Sequence, residues 1–219
     1  MKYHLPAHVS FGLVGPHAIV LDLALDRYFL LDPMAAAVLA ALGTCEGECS
    51  PSADVQALVR RGFVQPGAGP PVRPVEATSL QESALESRRS DGTLPLRHAF
   101  FLRIHVGFAL RWRGLAATID RLRRLRMRLG KGDFRRCPDE AGYIARGYCK
   151  ARILVPAKRL CVPDSLALGQ ALWRRGIAAD IYFGVRLNPF AAHAWVQQSD
   201  LVLSDPLNIV ADYSPVFRL

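Results

Sequence analysis

Over the first third of the chain, apolar residues come in short runs separated by turn signals. His8–Leu13 and Ala18–Asp22 flank Val14-Gly15-Pro16-His17, where Gly and Pro together predict a turn, and Arg27–Leu31 is a third, aromatic-bearing run. The period then changes. Asp32-Pro33 predicts a helix start, with Asp as N-cap and Pro in the first turn, and Met34–Leu42 carries the helix to Gly43. Ser52–Arg61 sets Val55, Leu58 and Val59 at helical spacing with Gly62 behind them, and Phe63-Val64 reads as a closing strand. A hairpin, a further strand and helices thus fill residues 1–65.

The pattern then breaks. Pro66, Gly67, Gly69, Pro70, Pro71 and Pro74 crowd ten residues, and the missing donors and fixed φ angles argue against helix or central strand. With the polar stretch that follows, residues 66–95 read as a linker, and a second domain is expected over 96–219. It opens with helical character from Arg97 to Leu129, where Leu102, Val106, Leu110 and Leu115 are among the apolar positions.

The chemistry concentrates near the C-terminus. Cys161 leads into an amphipathic helix whose stripe includes Leu168 and Leu172 and which stops at Gly176. A thiol at a helix N-terminus has its pKa lowered, and the thiolate is the nucleophile; a buried inert cysteine is the alternative. Ile177–Leu187 alternates as a strand, and Ala192–Gln197 and Leu201–Pro206 read as a hairpin around residues 198–200. In that register 197 pairs with 201 and His193 with Asp205, so their Cβ atoms stand ~4.5–5.5 Å apart. A histidine opposite an aspartate, downstream of a helix-terminal cysteine, suits a catalytic triad better than a passive core position.

Composition narrows the classes. The chain has 219 residues, 51% of them hydrophobic, and a mean hydropathy of +0.14, which excludes a disordered chain. Five irregularly spaced cysteines do not make a disulfide scaffold and fit a reducing cytosol, so a cytoplasmic location is expected. Cys45 and Cys49 lack partners for a zinc tetrad, so no metal or other cofactor is expected. No apolar run approaches the ~18–20 residues that span a bilayer, and no membrane partner is expected. Charge divides sharply: residues 1–95 carry 7 basic and 10 acidic side chains, residues 96–219 carry 21 and 9. Arg103, Arg111, Arg113, Arg121, Arg123, Arg124, Arg126 and Arg128 have only Asp120 among them. With few interleaved aromatics, this stretch reads as a solvated helix face or a docking face for an acidic partner before a nucleic-acid patch. Leu129–Asp133 lacks the spacing and hydroxyl of a phosphate-binding loop.

Cys161, Ser165-Leu-Ala-Leu168, His193-Ala-Trp-Val196 and Asp205 together resemble the transglutaminase-like cysteine peptidases of lasso peptide biosynthesis, the B proteins that remove the leader from a ribosomally made precursor. The resemblance spans roughly residues 97–219. It implies an α+β chain: a small winged-helix-like N-terminal domain of three strands and three helices, then a transglutaminase-like or papain-like cysteine protease domain with helices and an antiparallel sheet. By resemblance Cys161 is the nucleophile, His193 the base then acid, and Asp205 the group orienting the imidazole. Val162-Pro163-Asp164 departs from the family, which more often has a leucine and a basic residue there. The N-terminal part, residues 1–65, is similar to the leader-recognition domain fused to such peptidases, where the leader adds a strand to a sheet edge. That makes Arg27, Tyr28, Phe29, Leu30 and Leu31 the docking strand, while Val55, Leu58 and Val59 either line the groove or fill the small domain's core. The implied partners are the precursor leader and an asparagine-synthetase-like lasso cyclase, with no nucleic acid. The rival readings are an amidase or acyltransferase using the same triad, and a non-enzymatic peptide- or nucleic-acid-binding module.

Overall fold

The computed structural model describes residues 1–87, 91–130 and 134–219. Residues 88–90 of the expected linker, and Lys131, Gly132 and Asp133 of the excluded phosphate loop, lie outside the described residues. The chain forms two compact units, and neither is contiguous. The first comprises residues 1–77, 185–191 and 214–217, and the second 78–184, 192–213 and 218–219.

In the first unit, β1 (Tyr3–His4) pairs with β5 (Gln65–Pro66), and β2 (Val9–Val14), β3 (His17–Asp22) and β4 (Arg27–Leu31) form an antiparallel sheet in that order. The hairpin pairs Val14 with His17 around Gly15-Pro16, the turn its composition predicts. Helix α1 (Pro33–Thr44) begins where Asp32 accepts from Ala35 N at 2.9 Å, and α2 (Ala53–Arg60) where Ser52 accepts from Val55 N at 3.2 Å. Each cap satisfies one of the orphan donors of a first turn. Phe11, Val20, Leu31, Leu39, Leu42, Val55, Leu58 and Phe63 close one core.

Two features of this unit depart from expectation. It has two helices, not three, and Phe63-Val64 are buried core residues outside any strand, β5 forming just after them. Nor do residues 66–77 behave as a free linker. Leu5 N donates to Pro70 O at 3.0 Å, Val75 N to Phe11 O at 2.8 Å, and Val72 is 1% exposed. The prolines that forbid regular structure still supply carbonyl acceptors, so an irregular strap seals the core.

In the second unit, β6 (Glu82–Ser83) belongs to the polar stretch expected to be linker. It is followed in the chain by α3 (Leu96–Leu129), α4 (Pro138–Ile153), α5 (Cys161–Trp173), β7 (Asp180–Leu187), β8 (Phe190–Gln198), β9 (Leu201–Val202), α6 (Leu207–Val210) and β10 (Ser214–Arg218), of which residues 185–191 and 214–217 count with the first unit. The sheet order is β10-β7-β8-β9-β6, with β6 parallel to β9. Gly114, at φ 75° and ψ 177°, breaks α3 into two helical segments, a conformation an L side chain rarely takes. Helix α3 packs on α5 and α4, and α5 lies so close to β7 that a Cβ on Gly169 would stand 2.5 Å from Ile181 Cδ1.

The arginine-rich stretch is not one solvated face. Arg103 is 4% exposed and bonded to Asp164, Arg126 meets Asp180 at 2.6 Å, and Arg123 meets Asp120 one turn away at 3.2 Å. Among the described residues, no helix is long and apolar enough to cross a membrane.

Candidate active site

Cys161 is the first residue of α5, His193 lies on β8, and Asp205 follows β9. The structure brings all three to one cleft of about 420 Å³, wholly within the second unit. His193 Nε2 lies 3.1 Å from Asp205 Oδ1. This ion-pair approach is oblique, leaving Nε2 without an aligned hydrogen bond, and such contacts commonly tighten only when substrate binds.

The register that produces the pair differs from the expected one. The turn holds two residues, Ser199 (φ 54°) and Asp200, and Gln198 pairs with Leu201 and Gln197 with Val202. Continued regularly, that ladder would set Asp205 opposite Ala194 and turn its side chain away from the imidazole. The pairing instead ends after Leu203, whose N–H still donates to Val196 O at 2.8 Å, and the chain bends. Ser204 Oγ accepts from Val196 N at 2.9 Å and donates to Asp205 Oδ2. The bend restores the facing that the shorter turn removed.

The pair's electrostatics suit a nucleophile. Burial pushes the Cys161 thiol up, but its hydrogen bond with His193, the backbone contacts of Ala194 and Val162 and the imidazolium charge outweigh burial, so it titrates below its ordinary value. Burial pulls His193 down, while the Asp205 carboxylate and the Cys161 sulfur beside the ring raise it to about 9. Both shifts act toward a thiolate–imidazolium pair. A second thiol lining the cleft, Cys149, is raised to about 11, chiefly by burial and then by the Asp205 charge, and stays protonated.

Several residues that hold the site had no structural role assigned from the sequence. Ser165 Oγ donates to Ala194 O at 2.8 Å, tying the cysteine's helix to the histidine's strand. Ser83, on the stretch expected to be linker, donates to Asp205 O at 2.7 Å. Trp195 stacks between Tyr182 and His193, and Tyr213 meets the imidazole ring at 5.4 Å. Asp164 Oδ1 accepts from Arg103 Nε at 2.6 Å and from Arg152 Nε at 2.5 Å, while Oδ2 reaches back to Leu160 N at 3.1 Å. The two guanidiniums also bind the carbonyls of Val155, Ala157 and Lys158, fixing the loop that delivers Cys161. Asp164 is thus the hub of a largely buried network.

The residues expected to take a leader strand lie together in the first unit with different exposures. Arg27 is exposed, Leu30 is 57% exposed, and Tyr28 and Phe29 are half-buried, with Tyr28 edge-on to Phe190 at 6.2 Å. Leu31, Val55 and Leu58 are at most 2% exposed, so they fill the core and line no groove; Val59 is half-buried against it. Among the described residues, strand β4 has β3 on one side and no strand on the other. No His, Cys, Asp and Glu group among the described residues is arranged to hold a metal.

A thiolate at a helix start, an imidazole on a strand and a carboxylate beside it form the constellation of thiol-dependent peptidases and acyltransferases. Residues 102–218, over half of the chain, match the Transglutaminase-like superfamily, and the chain belongs to it. Domains of this superfamily are typically cysteine peptidases or transglutaminase-type enzymes. No curated protein and no solved structure matches the chain.

Proposed function

We propose that the protein is the leader peptidase of a lasso peptide pathway, capturing a precursor by its leader and cutting it at the leader–core junction. The observation that carries this reading is the polarised Cys161–His193 pair beside Asp205 in an open cleft. Cys161 Sγ attacks the scissile carbonyl carbon, and the tetrahedral oxyanion meets the backbone N–H of Cys161 at the start of α5. The C–N bond breaks as His193 gives its proton to the departing amine of the core, leaving the leader as a thioester on Cys161. His193 then takes a proton from water, the hydroxide adds to the thioester, and Sγ leaves, releasing the leader as a carboxylic acid. Asp205 keeps the ring oriented and balances its charge. The freed amine is the substrate for a separate ATP-dependent cyclase.

Capture is assigned to the outer edge of β4, where an added strand can lie alongside and the exposed Leu30 offers apolar contact. The test is incubation of the full chain with a leader-bearing precursor and mass analysis of the products. Two fragments whose masses together exceed the precursor by one water are expected. Cys161→Ala should retain leader binding and lose cleavage. A product lacking that water, with an added amine joined to the leader fragment, would establish acyl transfer and refute the peptidase assignment.

A further inference from the structure

The second unit carries a further cavity, of about 490 Å³, whose lining shares no residue with the candidate active site. One wall is the N-terminal segment of α3, the other the C-terminal half of α5 with Arg174 and Arg175 beyond it. Phe101 and Leu102 make it apolar, and Arg121, Arg174 and Arg175 make it cationic. No carboxylate lines it among the described residues, and neither Arg121 nor Arg174 is in an ion pair there. The positive field also reaches His105 on the same wall: burial lowers its pKa first, and then Arg121, Arg174 and Arg113 do so. Gln170, 4% exposed, is among the lining residues, and its Oε1 is buried without a hydrogen-bond partner. A buried acceptor left unpaired is costly, and it points to a donor that arrives with a ligand.

The surface continues beyond the cavity. Phe101, His105, Phe108 and Trp112 recur at helical spacing on one face of α3, and the three aromatics are 66%, 59% and 77% exposed. Exposed aromatics in a row beside unpaired arginines are the anatomy of a protein-binding face.

From these observations we propose that this face is a docking site for an acidic segment of a partner protein. The segment's carboxylates meet Arg121 and Arg174, an apolar side chain enters beside Phe101, and a backbone N–H donates to Gln170 Oε1. The aliphatic wall of Leu102 and Ala171 suits the side chains of a peptide better than stacked bases.

Fluorescence anisotropy of the full chain with a fluorescein-labelled peptide of repeating Glu-Leu-Glu-Phe tests the site, alongside its Gln-for-Glu counterpart and a labelled oligothymidylate. The acidic peptide should bind more tightly than the neutral one, and Arg121→Glu with Arg174→Glu should weaken it about tenfold or more. Phe101→Ala and Gln170→Leu should each weaken it without a charge change. The alkylation rate of Cys161 should be the same in parent and variants, which shows that they are folded. Equal binding of acidic and neutral peptides, or affinity changed less than about twofold by charge reversal, would overturn the proposal. Tighter binding of the oligothymidylate, lost in the same charge-reversed variant, would assign the face to nucleic acid and overturn it equally.

Discussion

Asp164→Asn isolates the charge that holds the loop before Cys161. The side chain keeps its size and one acceptor oxygen but no longer neutralises Arg103 and Arg152, which are 4% and 5% exposed. Both guanidiniums retain their loop carbonyls, so their donors are partly satisfied while their charges are not. Removing one partner from a buried ion pair costs about 3–5 kcal/mol, and the retained acceptor sets the expectation at the low end, about 3 kcal/mol. Native stability is about 5–15 kcal/mol, so this is a large share of it. At about 2–4 °C per kcal/mol for a chain of this size, the melting temperature should fall roughly 6–12 °C. Arg103→Met should cost less, because Arg152 still faces the carboxylate. The assay is thermal unfolding followed by circular dichroism, paired with the rate of Cys161 alkylation by iodoacetamide, which should also fall. A melting temperature within about 2 °C of the parent, with alkylation unchanged, would refute the role of this network.

Other predictions follow from the same geometry. At neutral pH, iodoacetamide should label Cys161 well before Cys149, read by peptide mass mapping, because one thiol is lowered and the other raised to about 11. Precursor cleavage should rise with pH below the ordinary thiol value as Cys161 ionises and fall near pH 9 as His193 loses the proton it must donate, a bell measurable in kcat/KM. The raised His193 pKa also stabilises the fold fully below about pH 6.5, and denaturant titrations should show that contribution lost as pH rises through about 9. Ser165→Ala strips the buried Ala194 carbonyl of its donor; it should cost about 1–3 kcal/mol in unfolding experiments and slow cleavage by loosening the helix from the histidine strand.

What could be read from the residues alone was local. The Asp32 and Ser52 caps, the Gly15-Pro16 hairpin and the helix behind Cys161 each depend on neighbours a few positions apart, and each formed, though that last helix ends at Trp173, short of the expected Gly176. His193 and Asp205 were within reach because one tight turn joins them. Their register was not, since it depends on a ladder break at Ser204 that no alternation pattern announces. Arg103 and Asp164 are 61 positions apart and Ser83 and Asp205 are 122 apart, so their partnerships belong to tertiary packing. Arg103 looked like its solvated neighbours, and Ser83 looked like linker. The proline run misled for a related reason: composition reports that a segment lacks regular hydrogen bonds, but not that Leu5 and Phe11 await its backbone.

The discontinuous first unit carries a consequence for how such a chain can be rearranged. A cut after Ala77 looks like a clean division, yet it would strip the small unit of residues 185–191 and 214–217. Pro215 is part of that unit's packing: its carbonyl lies so near β2 that a Cβ on Gly12 would come within 2.0 Å of it. A graft of the first 77 residues onto a foreign peptidase would arrive with this face uncovered, and so would a gene split at that point. Shuffling by simple fusion is therefore closed to this architecture, and changes of specificity must come through substitutions within an inseparable chain.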